Sequence, residues 1–214
     1  MYNLKPKDFD FKSVKGFSKE QLNDHYKLYE GYIKNLNKIW NTPYVPSKFT
    51  DTNSTYSEMR SLKRGETYSL DGVKLHELYF ENMTGGNNSP NGPILDAIID
   101  EFSSYNNFIS YLTNIGLSIR GWVVVSIDSI DNKIHIIGSD SHDNGAVWMS
   151  YPLLVMDVYE HAYFIDFGTD RKKYISTFVK NINWNILNIR FQEYISSAKL
   201  MNMRRYGYYP FQFF

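Results

Sequence analysis

Histidine is scarce in this chain, with five residues in 214: His25, His76, His135, His142 and His161. One of them stands in DVYEHAYF, residues 157–164, four positions after Asp157 and just beyond the apolar run PLLVM. Imidazole nitrogens and carboxylate oxygens are ligands for hard and borderline cations, and residues at i and i+4 share one face of a helical turn. His25 and His76 fall in two separate segments of helical periodicity. An antiparallel pairing of those helices would bring both imidazoles together. Three imidazoles and one carboxylate, with no sulfur, suit Fe, Mn or Zn. Spacing alone leaves plainer readings open: Asp157 and His161 as a helix-surface pair, and either helical His as a packing residue. His135, in the alternating run KIHIIG, reads as structural. No HExxH, G-x-S-x-G, Walker or GxGxxG pattern offers a competing chemistry, and HELYF at His76 lacks the second His.

The elements that must position these residues are legible in outline. Ser18 followed three positions on by Gln21 is a capping-box pattern, and Leu22, Tyr26, Tyr29, Ile33, Leu36 and Trp40 then recur at helical spacing. A loop, NTPYVPSKFTDTN, precedes YSEMRSLKRGETYSLDGVKLHELYFENM, which predicts one or two helices with an interruption near Gly65. TGGNNSPNGP, residues 84–93, marks a connection. Two further helical stretches follow, then β-rich runs at GWVVVSID, KIHIIG and PLLVM, then two closing helical stretches and the aromatic tail RRYGYYPFQFF. The order predicts an all-α N-terminal part, residues 1–85, and an α/β part, residues 90–214.

Composition narrows the function classes. With 23 basic and 23 acidic residues the chain has no net field favouring nucleic acid or a membrane surface. Aromatics reach 17%. Cysteine is absent, which excludes disulfides and thiolate metal sites. MYNLKPKDFDF has no apolar signal region, no run approaches a membrane span, and the sequons at Asn53 and Asn82 then read as accidental. These features predict a soluble, cytoplasmic protein.

DVYEHAYF, followed by IDF, RKKY and NW, resembles the D-x-W-E-H-A-Y-Y metal-site signature of the iron/manganese superoxide dismutases. The likeness extends to the Tyr2–Leu4 start, to FSKEQLNDH and YIKNLN, to HELYF at His76, to NGPILDAIIDEFSSYNNF, and to Arg120-Gly121-Trp122. It implies an N-terminal antiparallel helical hairpin followed by a three-stranded antiparallel sheet packed by helices. It also implies one Fe or Mn ion per chain, held by His25, His76, Asp157 and His161 with solvent as a fifth ligand. The implied activity is conversion of two superoxide anions to dioxygen and hydrogen peroxide by alternate reduction and reoxidation of that ion. His142 would hold the solvent, since Gly72, the other family position for that role, has no side chain. Tyr32 would be the gateway Tyr, Arg171 an entrance cation and Trp122 a further residue of the catalytic site. Glu160 would reach the partner subunit's ligand His in a homodimer, with a tetramer as the alternative assembly. His142 together with Val155, two before Asp157, leans toward iron.

Several residues depart from the family pattern. The His25-to-Tyr32 interval is one residue short of H-x3-H-x3-Y, Tyr29 replaces the middle His, and Phe164 replaces the second Tyr of E-H-A-Y-Y. Tyr159 and Phe80 stand where Trp is usual. These changes put the gate and proton delivery in question. They leave a metal-binding homologue with weak or no dismutase activity, in a structural or coat role served by residues 204–214, as the alternative function.

Overall fold

The structure, a computed structural model, describes residues 3–206 apart from 87 and 146, with the backbone alone from residue 199 onward. Tyr2 and the tail beyond Tyr206 lie outside the described residues. Helix α1, Lys19–Trp40, starts where Ser18 accepts a hydrogen bond from the Gln21 N–H through its side chain, and it buries Leu22, His25, Tyr29, Ile33 and Leu36 on one stripe. Helix α2, Glu58–Met83, is capped in the same way by Ser57 and pairs with α1.

Helix α2 runs unbroken through Gly65, so the interruption expected there is absent. One Gly in a helix interior costs only about 1 kcal/mol. Packing on α1 outweighs that, including the Trp40 indole N–H donated to Glu66 at 2.9 Å.

After the turn-rich stretch at 84–92, α3 (Pro93–Phe102) and α4 (Tyr105–Ser118) lead into a three-stranded antiparallel sheet. Its strands are β1 (Trp122–Asp128), β2 (Ile134–Ser139) and β3 (Ser150–Asp157), in the order β2-β1-β3. Central β1 is almost wholly buried. A bulge at Val125/Ser126 faces Pro152, which an edge strand tolerates because its missing N–H breaks no central ladder. The register sets Trp122 opposite both Ser139 and Asp157, so the first residue of β1 stands beside the last residues of its two neighbours. Gly121 makes this junction possible: a Cβ there would lie 2.6 Å from the Ser139 carbonyl oxygen.

Beyond β3 come a single 3-10 turn (Glu160–Ala162), the short helix α5 (Phe164–Phe167), α6 (Arg171–Lys180) and α7 (Trp184–Tyr206). Buried Arg190 of α7 ties the parts together, donating to Asn82 and Glu81 of α2 and to the Leu153 carbonyl of β3. Asn82 is itself fully buried, so its sequon is out of reach in the folded chain.

Candidate metal centre

Four elements each deliver one ligand-type atom to a common point. Helix α1 supplies His25 and α2 supplies His76; β3 ends on Asp157, and the 3-10 turn supplies His161. One donor atom from each lies within 4.8 Å of all the others. The Asp157 Oδ2 atom is 3.0 Å from His25 Nε2, 3.2 Å from His161 Nε2 and 3.8 Å from His76 Nε2. His161 is the most open member, with 29% of its side chain exposed against 1% or less for the other three.

The donor set fits a cation. His76 donates its Nδ1–H to the Gly72 carbonyl at 2.6 Å, which leaves Nε2 unprotonated and aimed at the cluster. That Nε2 is fully buried and has no hydrogen-bond partner. Leaving such an atom unmet costs about 1–3 kcal/mol, and a cation among the four atoms would meet it. The protonation states point the same way. Burial pushes His25 and His76 down toward the neutral imidazole that a metal requires. Burial alone would raise the Asp157 carboxyl, but the His161 charge and hydrogen bonds from His161 and His25 outweigh it and hold the group far below the usual carboxylate range.

Residues 90–190 match the family described as the C-terminal domain of iron/manganese superoxide dismutases. The chain is 34% identical over 199 residues to the Fe superoxide dismutase of Aquifex pyrophilus, covering 90% of this chain and 93% of that one. Identity is 33% over 199 residues to the Fe superoxide dismutase of Aquifex aeolicus, with the same coverage. It is 29% over 195 residues to the Mn superoxide dismutase 1 of Halobacterium salinarum, covering 90% and 96%. The chain belongs to the iron/manganese superoxide dismutase family.

Around the cluster of this family member lies a ring of aromatic and polar side chains. His142, in the turn after β2, is buried and receives the Trp122 indole N–H on its Nδ1 at 2.8 Å. Its Nε2 lies 2.7 Å from the Tyr32 hydroxyl. Burial pushes His142 down to about 4, so it is neutral at ordinary pH. Gly72 makes room for Tyr32: a Cβ there would meet the Tyr32 ring at 2.9 Å. Tyr159 stacks on His161 at 5.2 Å between centroids, and Phe80 packs on His25 at 5.1 Å. Both substituted aromatics therefore remain walls of the site.

Other expected site residues sit farther out. Glu160 is exposed on the 3-10 turn. The Arg171 guanidinium is held by the Tyr163 hydroxyl at 3.0 Å and the Ile119 carbonyl at 2.9 Å, with no bond to the cluster. Tyr29, in the shortened α1 interval, is buried and satisfied within the chain, accepting from the Lys7 N–H and donating to Glu77. Phe164 is half exposed.

Three contributors escaped the sequence reading. Gln21 completes no capping box. Its buried amide instead donates to the His161 carbonyl at 2.7 Å and accepts from the Ile165 N–H, while Asp166 takes the Ser18 N–H. A polar residue one turn before His25 on the same stripe was the available signal. Tyr174 donates to the Asp157 carbonyl, fixing the ligand strand's end. Tyr68, eight residues before His76 on α2, lies 4.4 Å from the His142 ring.

Proposed function

We propose that the chain is a superoxide dismutase, turning two superoxide anions and two protons into dioxygen and hydrogen peroxide. One iron or manganese ion would be held by His25, His76, Asp157 and His161. The observation that carries this reading is the buried four-atom cluster with its unpartnered His76 Nε2. When bound, such an ion supplies alternating acceptance and donation of one electron, which redox-inert zinc does not. The protein's part is to bind, exclude water and manage protons.

Asp157 places one fixed negative charge beside His25 and His76, which burial holds neutral, leaving a loaded site cationic and attractive to an anion. Phe80, Tyr159 and Trp122 wall the site and limit water. The Tyr32 hydroxyl and His142 Nε2–H are the proton-bearing groups beside the cluster, because the Trp122 indole, able only to donate, makes His142 Nδ1 an acceptor and leaves its proton on Nε2. Glu160 is available for contact with a partner subunit, and Arg171 for drawing in the anion. Relatives named for iron and for manganese both match. His142 and Val155 favour iron.

The test is superoxide removal per bound ion by the full chain loaded separately with iron and with manganese. Catalysed removal by at least one form, and none by the zinc form, is the expected result. A chain that binds iron or manganese but removes no superoxide would instead be a metal-binding homologue in a structural role.

A further inference from the structure

Strand β3 lies at the edge of the sheet, so the main-chain groups on its outer side have no partner strand. Alternate carbonyls there are met instead by side chains from three helices. The Leu153 carbonyl accepts from the Arg190 guanidinium of α7 at 2.8 Å, and the Val155 carbonyl from the Asn82 amide of α2 at 2.8 Å. The Asp157 carbonyl accepts from the Tyr174 hydroxyl of α6, so the row ends on a member of the four-atom cluster. Two of the three donors are also joined to each other. Arg190 donates to the Asn82 side-chain oxygen at 2.5 Å, and its other terminal nitrogen reaches Glu81 at 2.7 Å. Asn82 and Arg190 are both buried.

Donor and acceptor counting fixes which way the Asn82 amide faces. A guanidinium can only donate, so the amide oxygen is turned to Arg190 and the amide nitrogen is left for the Val155 carbonyl. The consequence is geometric. His76 and Asn82 stand on one helix, about 9 Å apart along its axis. Val155 and Asp157 stand on one strand, about 7 Å apart. The Asn82–Val155 bond closes these two arms into a frame. Inside the cluster nothing joins the same two ligands: His76 Nε2 is 3.8 Å from Asp157 Oδ2 and has no hydrogen-bond partner. Their separation is therefore set from behind.

We propose that Asn82 and Arg190 are positioning residues of the metal centre, fixing the separation of His76 and Asp157 and thereby how firmly the ion is held. Covering the edge of β3 would need no bond between the covering groups. The Arg190–Asn82 bond instead locks α2, β3 and α7 at one point, as a fixed ligand spacing requires. The proposal rests on the dismutase reading only for what the ion does in turnover.

Asn82→Asp tests it, because the carboxylate keeps the size of the amide and its bond to Arg190 but sets a second acceptor against the Val155 carbonyl. Manganese loaded into this variant should pass to excess chelator about 10- to 100-fold faster than from wild type. The ferric form should show shifted EPR lines. Arg190→Met should quicken release about tenfold, and the double variant no more than the faster single one. Arg190→Lys keeps a cation without the fork and is the milder break if either variant fails to fold, with release about threefold faster. Phe108→Leu, in the buried face of α4, is the control. It should lower the urea midpoint of the metal-free chain comparably while release stays within about twofold of wild type. Release from Asn82→Asp at the wild-type rate overturns the proposal, as does equal quickening in Phe108→Leu, which would make the effect one of stability alone. If the wild-type chain holds its ion but removes no superoxide, the dismutase reading fails, and the release rates still decide the role of Asn82 and Arg190.

Discussion

The two sides of the candidate metal centre are built differently. On the inner side, His25, His76 and Asp157 are buried, and backbone groups fix two of them: the Gly72 carbonyl takes the His76 Nδ1–H, and the Tyr159 N–H binds Asp157 Oδ1. On the outer side, His161 is partly open, and side chains on separate elements govern the arrangement: Trp122, His142, Tyr32, Tyr68 and Tyr159. Backbone anchors hold ligand geometry whatever the neighbouring side chains are. Hydroxyl and imidazole chains can be rewired by one substitution. The inner side should therefore decide whether an ion binds, and the outer side how protons reach it.

Removing a ligand should produce the largest effect. Asp157→Ala leaves three buried imidazoles without their carboxylate, and bound iron or manganese should fall from one per chain to near zero, checked by elemental analysis. Activity should fall at least about 100-fold, beyond the 10–100-fold typical of groups that only support ligands.

Gly72→Ala strikes both sides at once. Helix propensity favours Ala by about 1 kcal/mol, but the new Cβ would lie 2.9 Å from the Tyr32 ring. Because the Gly72 carbonyl remains for His76, metal content should hold while Tyr32 shifts, and turnover should fall about tenfold. A crystal structure of the variant, paired with metal analysis, separates the two.

Gln21→Leu is the corresponding break on the α1 side. It strands the His161 carbonyl and the Ile165 N–H, so stability should drop by about 1–3 kcal/mol in urea unfolding. The last expected effect is in pH dependence. Burial lowers His142 in the folded state to about 4, whereas the unfolded side chain titrates near 6.5. Its neutral form therefore contributes stability in full above about pH 6.5, and that contribution is lost as pH falls toward 4. The stability difference between wild type and His142→Gln, measured by urea unfolding, should become less favourable to wild type across that window.

How much of this was legible in the sequence follows the same division. His25, His76, Asp157 and His161 could be picked out through the resemblance that DVYEHAYF and HELYF carry, since spacing and the scarcity of histidine alone left packing and surface readings open. The helix start at Ser18 could be read because a cap is a local event. The Gln21 capping box failed for a physical reason: a buried amide goes to the partners that tertiary packing supplies, here the backbone around His161. Gly65 failed likewise, because its local helix penalty is small beside packing. Tyr68 carried no signal at all among 18 tyrosines, and only folding brings it against His142. The placement of Arg171 beside Tyr163 and Ile119 depends on how α6 meets the end of α4, which no local pattern encodes.

The central claim is that one ion sits among four side chains drawn from α1, α2, β3 and the turn beyond it. Anomalous diffraction from crystals of the active, iron- or manganese-loaded chain tests it most directly. The account predicts a single strong peak bonded to the Nε2 atoms of His25, His76 and His161 and to a carboxylate oxygen of Asp157. A peak held by other residues, or no peak in protein that removes superoxide, would contradict it.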